Sequence, residues 1–206
     1  MIKEACVENL SEAILAQERG AERIELCENL AVGGTTPSYG TIVTCKKHLS
    51  IPVIVMIRPR GGNFVYSPRE VDSMLEDIRI CQKAGADGIA TGVLTSSGAI
   101  DLHILRRLVS EAGSMQITFH KAIDETENIE AEIQKLKDTG IHRVLSSGGA
   151  PTALEGSLML NKLIRLTAGS LVMLTAGKVT SENLDMLSRL ISSAEFHGRK
   201  IVGDLK

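Results

Sequence analysis

Aromatic side chains are scarce in this sequence, whose 206 residues include three Phe, two Tyr and no Trp. Proteins that bind single-stranded nucleic acid stack bases on aromatic rings, so a stacking surface is not expected here. The net charge of −2 offers no electrostatic attraction to nucleic acid or to an anionic membrane. Composition therefore favours a small molecule as the partner.

Long apolar runs are also missing, because no segment approaches the roughly 18 uninterrupted apolar residues that a membrane span requires. The first apolar–polar alternation begins within three residues of Met1, which leaves no room for a secretory signal. No CxxC spacing occurs among the four cysteines, Cys6, Cys27, Cys45 and Cys81. These features predict a cytoplasmic protein with free thiols and no zinc ribbon.

Helical patterns that end at a glycine and lead into a short strand recur along the chain, for example at Gly20, Gly85 and Gly140. Strands are predicted at 3–6, 23–27, 53–58, 88–91, 116–120, 143–147, 171–175 and 195–197. Helices are predicted between them at 9–19, 38–48, 68–84, 101–111, 126–138, 151–166 and 181–191.

Strict alternation of this kind leaves an open doubly wound sheet or a closed barrel, and the count of eight strands favours a (β/α)8 TIM-type barrel in a single domain over residues 1–206. Only the segment GRKIVGDLK follows the last predicted strand. A full eighth helix is therefore not expected. Either the short tail or a neighbouring subunit would cover this end, and we predict a homo-oligomer.

The stretch RIELC places Arg23, Glu25 and Cys27 on one face of a strand, because side chains alternate with period two. In a barrel this face is the lumen, and Cys27 lies nearest the mouth. Glu4 and Cys6 repeat the spacing on the neighbouring strand. Two close thiolates suit Cu(I), although free cysteines also serve as small buried apolar residues.

Basic residues follow the third strand in the stretch IRPRGGN. Arg58 and Arg60, next to a Gly-Gly turn, are suited to bidentate capture of a carboxylate or phosphate. The alternative is that Arg58 neutralises Glu25 or Glu4 inside the barrel.

Potential proton carriers end the fifth strand in the stretch TFHKAID. His120 at the mouth could act as a general acid or base, with Glu25 or Asp124 orienting it, and Lys121 adds a positive charge. A structural role for the histidine is the alternative.

Glycine-bearing turns follow strands six and seven, in SSGGAP and TAGKV, and the eighth strand reads EFHG. In barrels the last loops commonly bind phosphate through backbone N–H groups. We therefore predict that Gly148, Gly177 and His197 contribute to ligand binding, although glycine also serves plain tight turns.

The motifs RIELCENLAVGGTTPS, IRPRGGNFVYS, TGVL, TFHKAID, RVLSSGG and AGKVTSENL, in this order, resemble the CutC family, named for copper tolerance. The resemblance implies a (β/α)8 barrel, a cytoplasmic location, oligomers and a role in copper handling. It also implies Cu(I) ligands on the first two strands, at Cys6 and Cys27.

Two hypotheses follow. The first is a copper homeostasis protein that binds Cu(I) through Cys6 and Cys27. The second is a barrel enzyme, either a lyase, an isomerase or a hydrolase, that acts on a small phosphorylated or carboxylated molecule. In the second, Arg58 and Arg60 bind the anion and His120 transfers a proton.

Overall fold

The computed structural model describes all 206 residues, and its eight parallel strands pair in chain order, with the last strand pairing with the first. The strands are β1 Ile2–Val7, β2 Arg23–Leu26, β3 Val53–Met56, β4 Gly88–Thr91, β5 Gln116–Phe119, β6 Arg143–Ser146, β7 Val172–Thr175 and β8 Glu195–Gly198. The helices are α1 Leu10–Glu18, α2 Tyr39–His48, α3 Pro68–Lys83, α4 Leu102–Ala112, α5 Ile129–Lys135, α6 Ser157–Thr167 and α7 Leu184–Leu190. The predicted TIM-type barrel is confirmed.

The alternation in β2 separates two buried layers. Ile24 and Leu26 are fully buried in the main apolar cluster, which also contains residues of the surrounding helices. Cys27, two positions after Glu25, belongs to a separate small cluster with Cys6. The sequence pattern therefore directs apolar side chains to the helices and polar side chains to the lumen.

Helix α3 begins where the sequence predicts it. The side chain of Ser67 accepts a hydrogen bond from the backbone of Glu70, and Glu70 accepts one in return from the Ser67 backbone. Pro68 occupies the first helical position, where its missing N–H is not needed.

Three helices begin three or more residues later than the sequence suggests. Helix α5 begins after the cap residue Asn128 instead of at 126. Helix α6 begins after Gly156 instead of at 151, because the backbone approaches so closely that a Cβ on Gly156 would lie 1.9 Å from the carbonyl oxygen of Ser147. Helix α7 begins at Leu184 instead of 181, since Ser181 donates its N–H to the carbonyl of Lys200.

The residues after β8 form a short packed tail in place of an eighth helix. Ile201, Val202 and Leu205 are buried, and the Arg19 side chain donates to the backbone carbonyl of Asp204. The tail thus covers this end within one chain, while coverage by a neighbouring subunit stays a prediction. None of the helices has both the length and the apolar character needed to cross a bilayer.

Candidate functional site

A cavity of about 130 Å³ lies at the mouth of the barrel. Six of the residues singled out from the sequence line it: Cys6, Glu25, Arg58, His120, Lys121 and His197. Arg60, Asp124, Cys27, Gly148 and Gly177 do not. Cys27 nevertheless contacts Cys6, which lines the cavity. The structure therefore gathers most of the predicted site at one end of the barrel.

Beneath the cavity the lumen holds a network of ion pairs. Arg23 donates to Glu4 and to Glu195, and Arg143 Nε lies 3.1 Å from the second carboxylate. These buried charges therefore neutralise one another. Glu25 receives no arginine, and its burial raises its pKa to about 8.

The two thiols on β1 and β2 are in contact, with Cys6 Sγ 3.9 Å from Cys27 Sγ. Along the sheet Cys6 is paired with Glu25, so Cys27 lies two residues further toward the mouth. The stagger of parallel strands in a closed barrel thus brings the thiols together diagonally. Both side chains are buried.

Hydrogen bonding makes the two thiols unequal. The bond between Cys27 and Cys6, together with that from His197, lowers the pKa of Cys6 to about 5 against the opposing effect of burial. The same bond, with burial, raises the pKa of Cys27 well above its usual value. At neutral pH the pair therefore consists of one thiolate and one thiol.

His197 is held by the carboxylates of the lumen. Its Nδ1 lies 2.8 Å from Glu4 Oε1 and its Nε2 lies 3.6 Å from Glu25 Oε2. Burial acts to lower its pKa, but attraction to Glu25 and Glu4 and the bond to Cys6 raise it well above the usual value. His197 is thus an internal cation that stabilises the Cys6 thiolate.

Arg58 holds the loop after β2, and pairs with neither Glu25 nor Glu4. Its Nη1 donates to the carbonyls of Val32 and Gly34 at 3.0 Å each, and its Nη2 donates to Gly62 at 2.8 Å. Glycine is required at positions 33 and 34 of this loop, since both Gly33 and Gly34 have positive φ and a Cβ on Gly33 would lie 3.0 Å from Arg58 Nη1. Arg58 Nε has no partner.

Arg60 points away from the cavity. Its Nε lies 2.5 Å from Glu70 Oε1, and its Nη1 donates to the carbonyl of Asn63 at 3.0 Å. Its guanidinium also lies over the ring of Tyr66, 5.2 Å from the centroid. The structure therefore places Arg60 in the packing of the β3–α3 loop, apart from Arg58.

His120 is oriented by the backbone, and Asp124 does not contact it. The Nδ1 atom of His120 accepts from the N–H of Ala122 at 3.2 Å, while Nε2 is buried without a partner. Burial and the charge of Arg58 lower the pKa of His120 to about 3, so the ring is neutral. A Cβ on Gly92 would lie 2.6 Å from this ring, which explains the glycine.

Asp124 follows β5, and its side chain reaches the glycine-rich loop after β6. Its carboxylate accepts from the backbone N–H of Ser147 and of Gly149 at 2.9 Å each, and Lys121 Nζ lies 2.6 Å from it. Gly148 donates to the hydroxyl of Ser146. The backbone donors expected to bind a phosphate are therefore taken by a carboxylate of the chain itself.

Gly177 serves the packing of two loops. Its φ is +105°, its carbonyl accepts from Ala153 N–H at 2.8 Å, and a Cβ would lie 2.7 Å from the Cβ of Ser147.

Met56 lines the cavity and belongs to the same small cluster as Cys6 and Cys27, together with Ile54 and Ala90. Sequence analysis did not single it out, because the methionines are not clustered along the chain. The clue to its place near Cys27 was its position at the end of β3, the strand beside β2.

Comparison with known proteins agrees with this geometry. The model of the CutC family matches residues 1–202. The chain belongs to the CutC family. A human relative named copper homeostasis protein cutC homolog is 41% identical over 95% of this chain and 72% of its own length. A CutC-family protein of Chromobacterium violaceum is 40% identical over 95% of this chain and 79% of its own.

Solved structures place the CutC-family chain within the wider group of barrels. A CutC structure from Streptococcus agalactiae superposes with a TM-score of 0.93 at 34% identity, covering 98% of this chain and 99% of the other. An aldolase named QR15 has a TM-score of 0.70 at 13% identity, covering 100% of this chain and 92% of its own. The second likeness shows the fold alone.

Proposed function

We propose that this CutC-family chain takes part in copper homeostasis by binding one Cu(I) ion between Cys6 and Cys27. The observation that carries the proposal is the buried thiol pair, whose sulfur atoms are 3.9 Å apart. The name of the human relative supports it. Soft thiolate ligands in a reducing compartment select Cu(I) over harder cations.

The sulfur separation indicates a bent coordination. With metal–thiolate bonds of about 2.3 Å, a separation of 3.9 Å corresponds to a sulfur–metal–sulfur angle of about 116°. Such an angle leaves a third coordination position open. The thioether of Met56, in the same cluster, is the soft donor that suits it.

Only one of the two sulfur atoms carries a proton at neutral pH, so binding of Cu(I) releases one proton. Cys6 is already a thiolate at neutral pH, since its pKa is lowered to about 5 by the bond from Cys27 and by that from His197. Cys27 loses its proton when the metal arrives. The apolar neighbours Ile54 and Ala90 exclude water around the thiols.

The test is an anaerobic Cu(I) titration of the reduced protein against a chromogenic chelator. We expect one tightly bound ion per chain, lost in Cys6→Ser and in Cys27→Ser. Cys45→Ser and Cys81→Ser are matched controls, because these thiols are buried in α2 and α3 and burial raises their pKa to about 11 and about 12. Binding that survives both site variants, or that is lost in a control, would contradict the proposal.

A cytoplasmic homo-oligomer is part of the same proposal. Four reduced thiols suit the cytoplasm. Apolar side chains are exposed on neighbouring helices, with Leu158 of α6 86% exposed and Leu190 of α7 45% exposed. Sedimentation of the wild type and of a Leu158→Lys variant tests the assembly, and a wild type that sediments as a monomer would contradict it.

A further inference from the structure

Two buried hydrogen-bond donors at the mouth lack partners. Arg58 and His120 are 5% and 3% exposed, both line the cavity, and neither Arg58 Nε nor His120 Nε2 makes a hydrogen bond. An unpaired buried donor destabilises the fold, because it has lost its hydrogen bonds to water. Cu(I) is a cation and satisfies neither donor, so the copper proposal leaves both unexplained.

The free edge of Arg58 is the one suited to a carboxylate. Nη1 donates to the carbonyls of Val32 and Gly34, and Nη2 donates to that of Gly62. Nε has no acceptor, and it shares one edge of the guanidinium with Nη2. Such an edge binds a carboxylate through two parallel hydrogen bonds. Phe64 supports the guanidinium face at 4.8 Å.

His120 presents a single donor with a defined proton position. Because its Nδ1 accepts from the N–H of Ala122, the proton of the neutral ring is on Nε2. Phe64 also contacts this ring, with the centroids 4.9 Å apart. The same aromatic side chain therefore positions the Arg58 edge and the His120 donor in one cavity.

The size of the cavity limits the ligand. Its 130 Å³ is well below the roughly 300–1,000 Å³ of pockets for drug-sized ligands. It has room for about four water molecules. A phosphate is disfavoured, since Asp124 already occupies the backbone donors of Ser147 and Gly149. A small planar anion with one further acceptor matches the donors that are free.

We propose that the mouth binds a short 2-oxo or 2-hydroxy carboxylate, whose carboxylate pairs with the Nε edge of Arg58 and whose 2-oxygen accepts from His120 Nε2. This ligand is independent of copper, because it uses neither thiol. Binding of such an acid is also what the hypothesis of a barrel enzyme requires.

The test is calorimetric titration of the reduced, metal-free protein with pyruvate and with glycolate, compared with acetate and inorganic phosphate. Pyruvate and glycolate are expected to bind at least about tenfold more tightly than acetate, which lacks the 2-oxygen, and than phosphate. His120→Phe should reduce pyruvate affinity to that of acetate. Arg58→Lys should weaken all carboxylates about tenfold or more, because lysine lacks the bidentate edge. The matched control Arg60→Lys should leave binding unchanged.

A second measurement needs no Arg58 variant, because Arg58 also holds its loop and its replacement disturbs that loop. The ¹⁵N resonance of His120 Nε2 should shift on addition of pyruvate and stay in place with acetate. Cys27→Ser should retain the binding, which separates this site from the copper proposal. An unshifted resonance, equal affinity for acetate, phosphate and pyruvate, or affinity unaffected by His120→Phe would overturn the proposal.

Discussion

Arg23 is the residue whose removal should damage the barrel most clearly. It is 5% exposed and donates to two buried carboxylates, Glu4 and Glu195. Breaking a buried ion pair on one side commonly destabilises a protein by about 3–5 kcal/mol. After Arg23→Ala, Glu4 keeps His197 at 2.8 Å and Glu195 keeps Arg143 at 3.1 Å. We therefore expect the lower end, about 3 kcal/mol.

Urea unfolding at pH 7 measures this free energy. A loss of about 3 kcal/mol, against a typical total of about 5–15 kcal/mol, should lower the midpoint by about 1–3 M urea. Lys162→Ala is the control, because its pair with Glu130 is 2.6 Å long but exposed, and it should cost under about 1 kcal/mol. A loss below about 1 kcal/mol for Arg23→Ala would refute the reasoning.

A second variant separates the lost ion pairs from the lost packing. Arg23→Met removes the charge but keeps an apolar stem in the lumen, and Glu4 and Glu195 retain His197 and Arg143. It should recover the part of the loss in Arg23→Ala that comes from the space left by the arginine stem. A variant no more stable than Arg23→Ala would show that the lost ion pairs account for the whole effect.

Three further predictions concern the mouth and its loops. Met56→Leu should keep one Cu(I) per chain but weaken it about tenfold in the chelator titration, since leucine fills the space without a sulfur donor; unchanged affinity would exclude Met56 as the third donor. Gly177→Ala should lower the free energy of unfolding by about 1–3 kcal/mol, because φ is +105° and a Cβ would lie 2.7 Å from Ser147 Cβ; a neutral effect in urea would contradict the close approach. The pKa of His120 is about 3 in the folded chain, against an ordinary value of 6.5. Between these pH values the unfolded chain therefore binds more protons than the folded chain. The free energy of unfolding should fall as the pH falls, by at most about 1.4 kcal/mol per pH unit. The stability difference between wild type and His120→Gln, followed across that range, should show this slope, and a flat difference would mean that His120 is protonated in the fold.

Local patterns predicted the elements well where a short-range rule decides them. Ser67, Pro68 and Glu70 mark the start of α3, since a capping box is formed within one turn. The later starts of α6 and α7 depend on contacts with distant residues. Gly156 packs against Ser147, and Ser181 pairs with the tail at Lys200, which no local pattern reveals.

The site was likewise predictable where local alternation decides it and not where distant contacts do. Period-two alternation placed Glu25 and Cys27 toward the lumen, and Cys6 on the adjacent strand. The partners of Asp124 could not be inferred, because its carboxylate bonds a loop more than twenty residues further along the chain. The position of Met56 beside the thiols was missed for the same reason, since only strand pairing brings it to them.

The sequence by itself determined the barrel, its polar lumen and the strand ends that meet at the mouth. These follow from covalent geometry, which makes side chains alternate along a strand whatever surrounds it. Only the tertiary structure decided that Arg60 packs in its loop, while Arg58 and His120 keep a free donor at the cavity. Which hydrogen-bond donors remain free depends on the stagger of the closed barrel and on the loops folded over it, because those contacts join residues far apart in the chain.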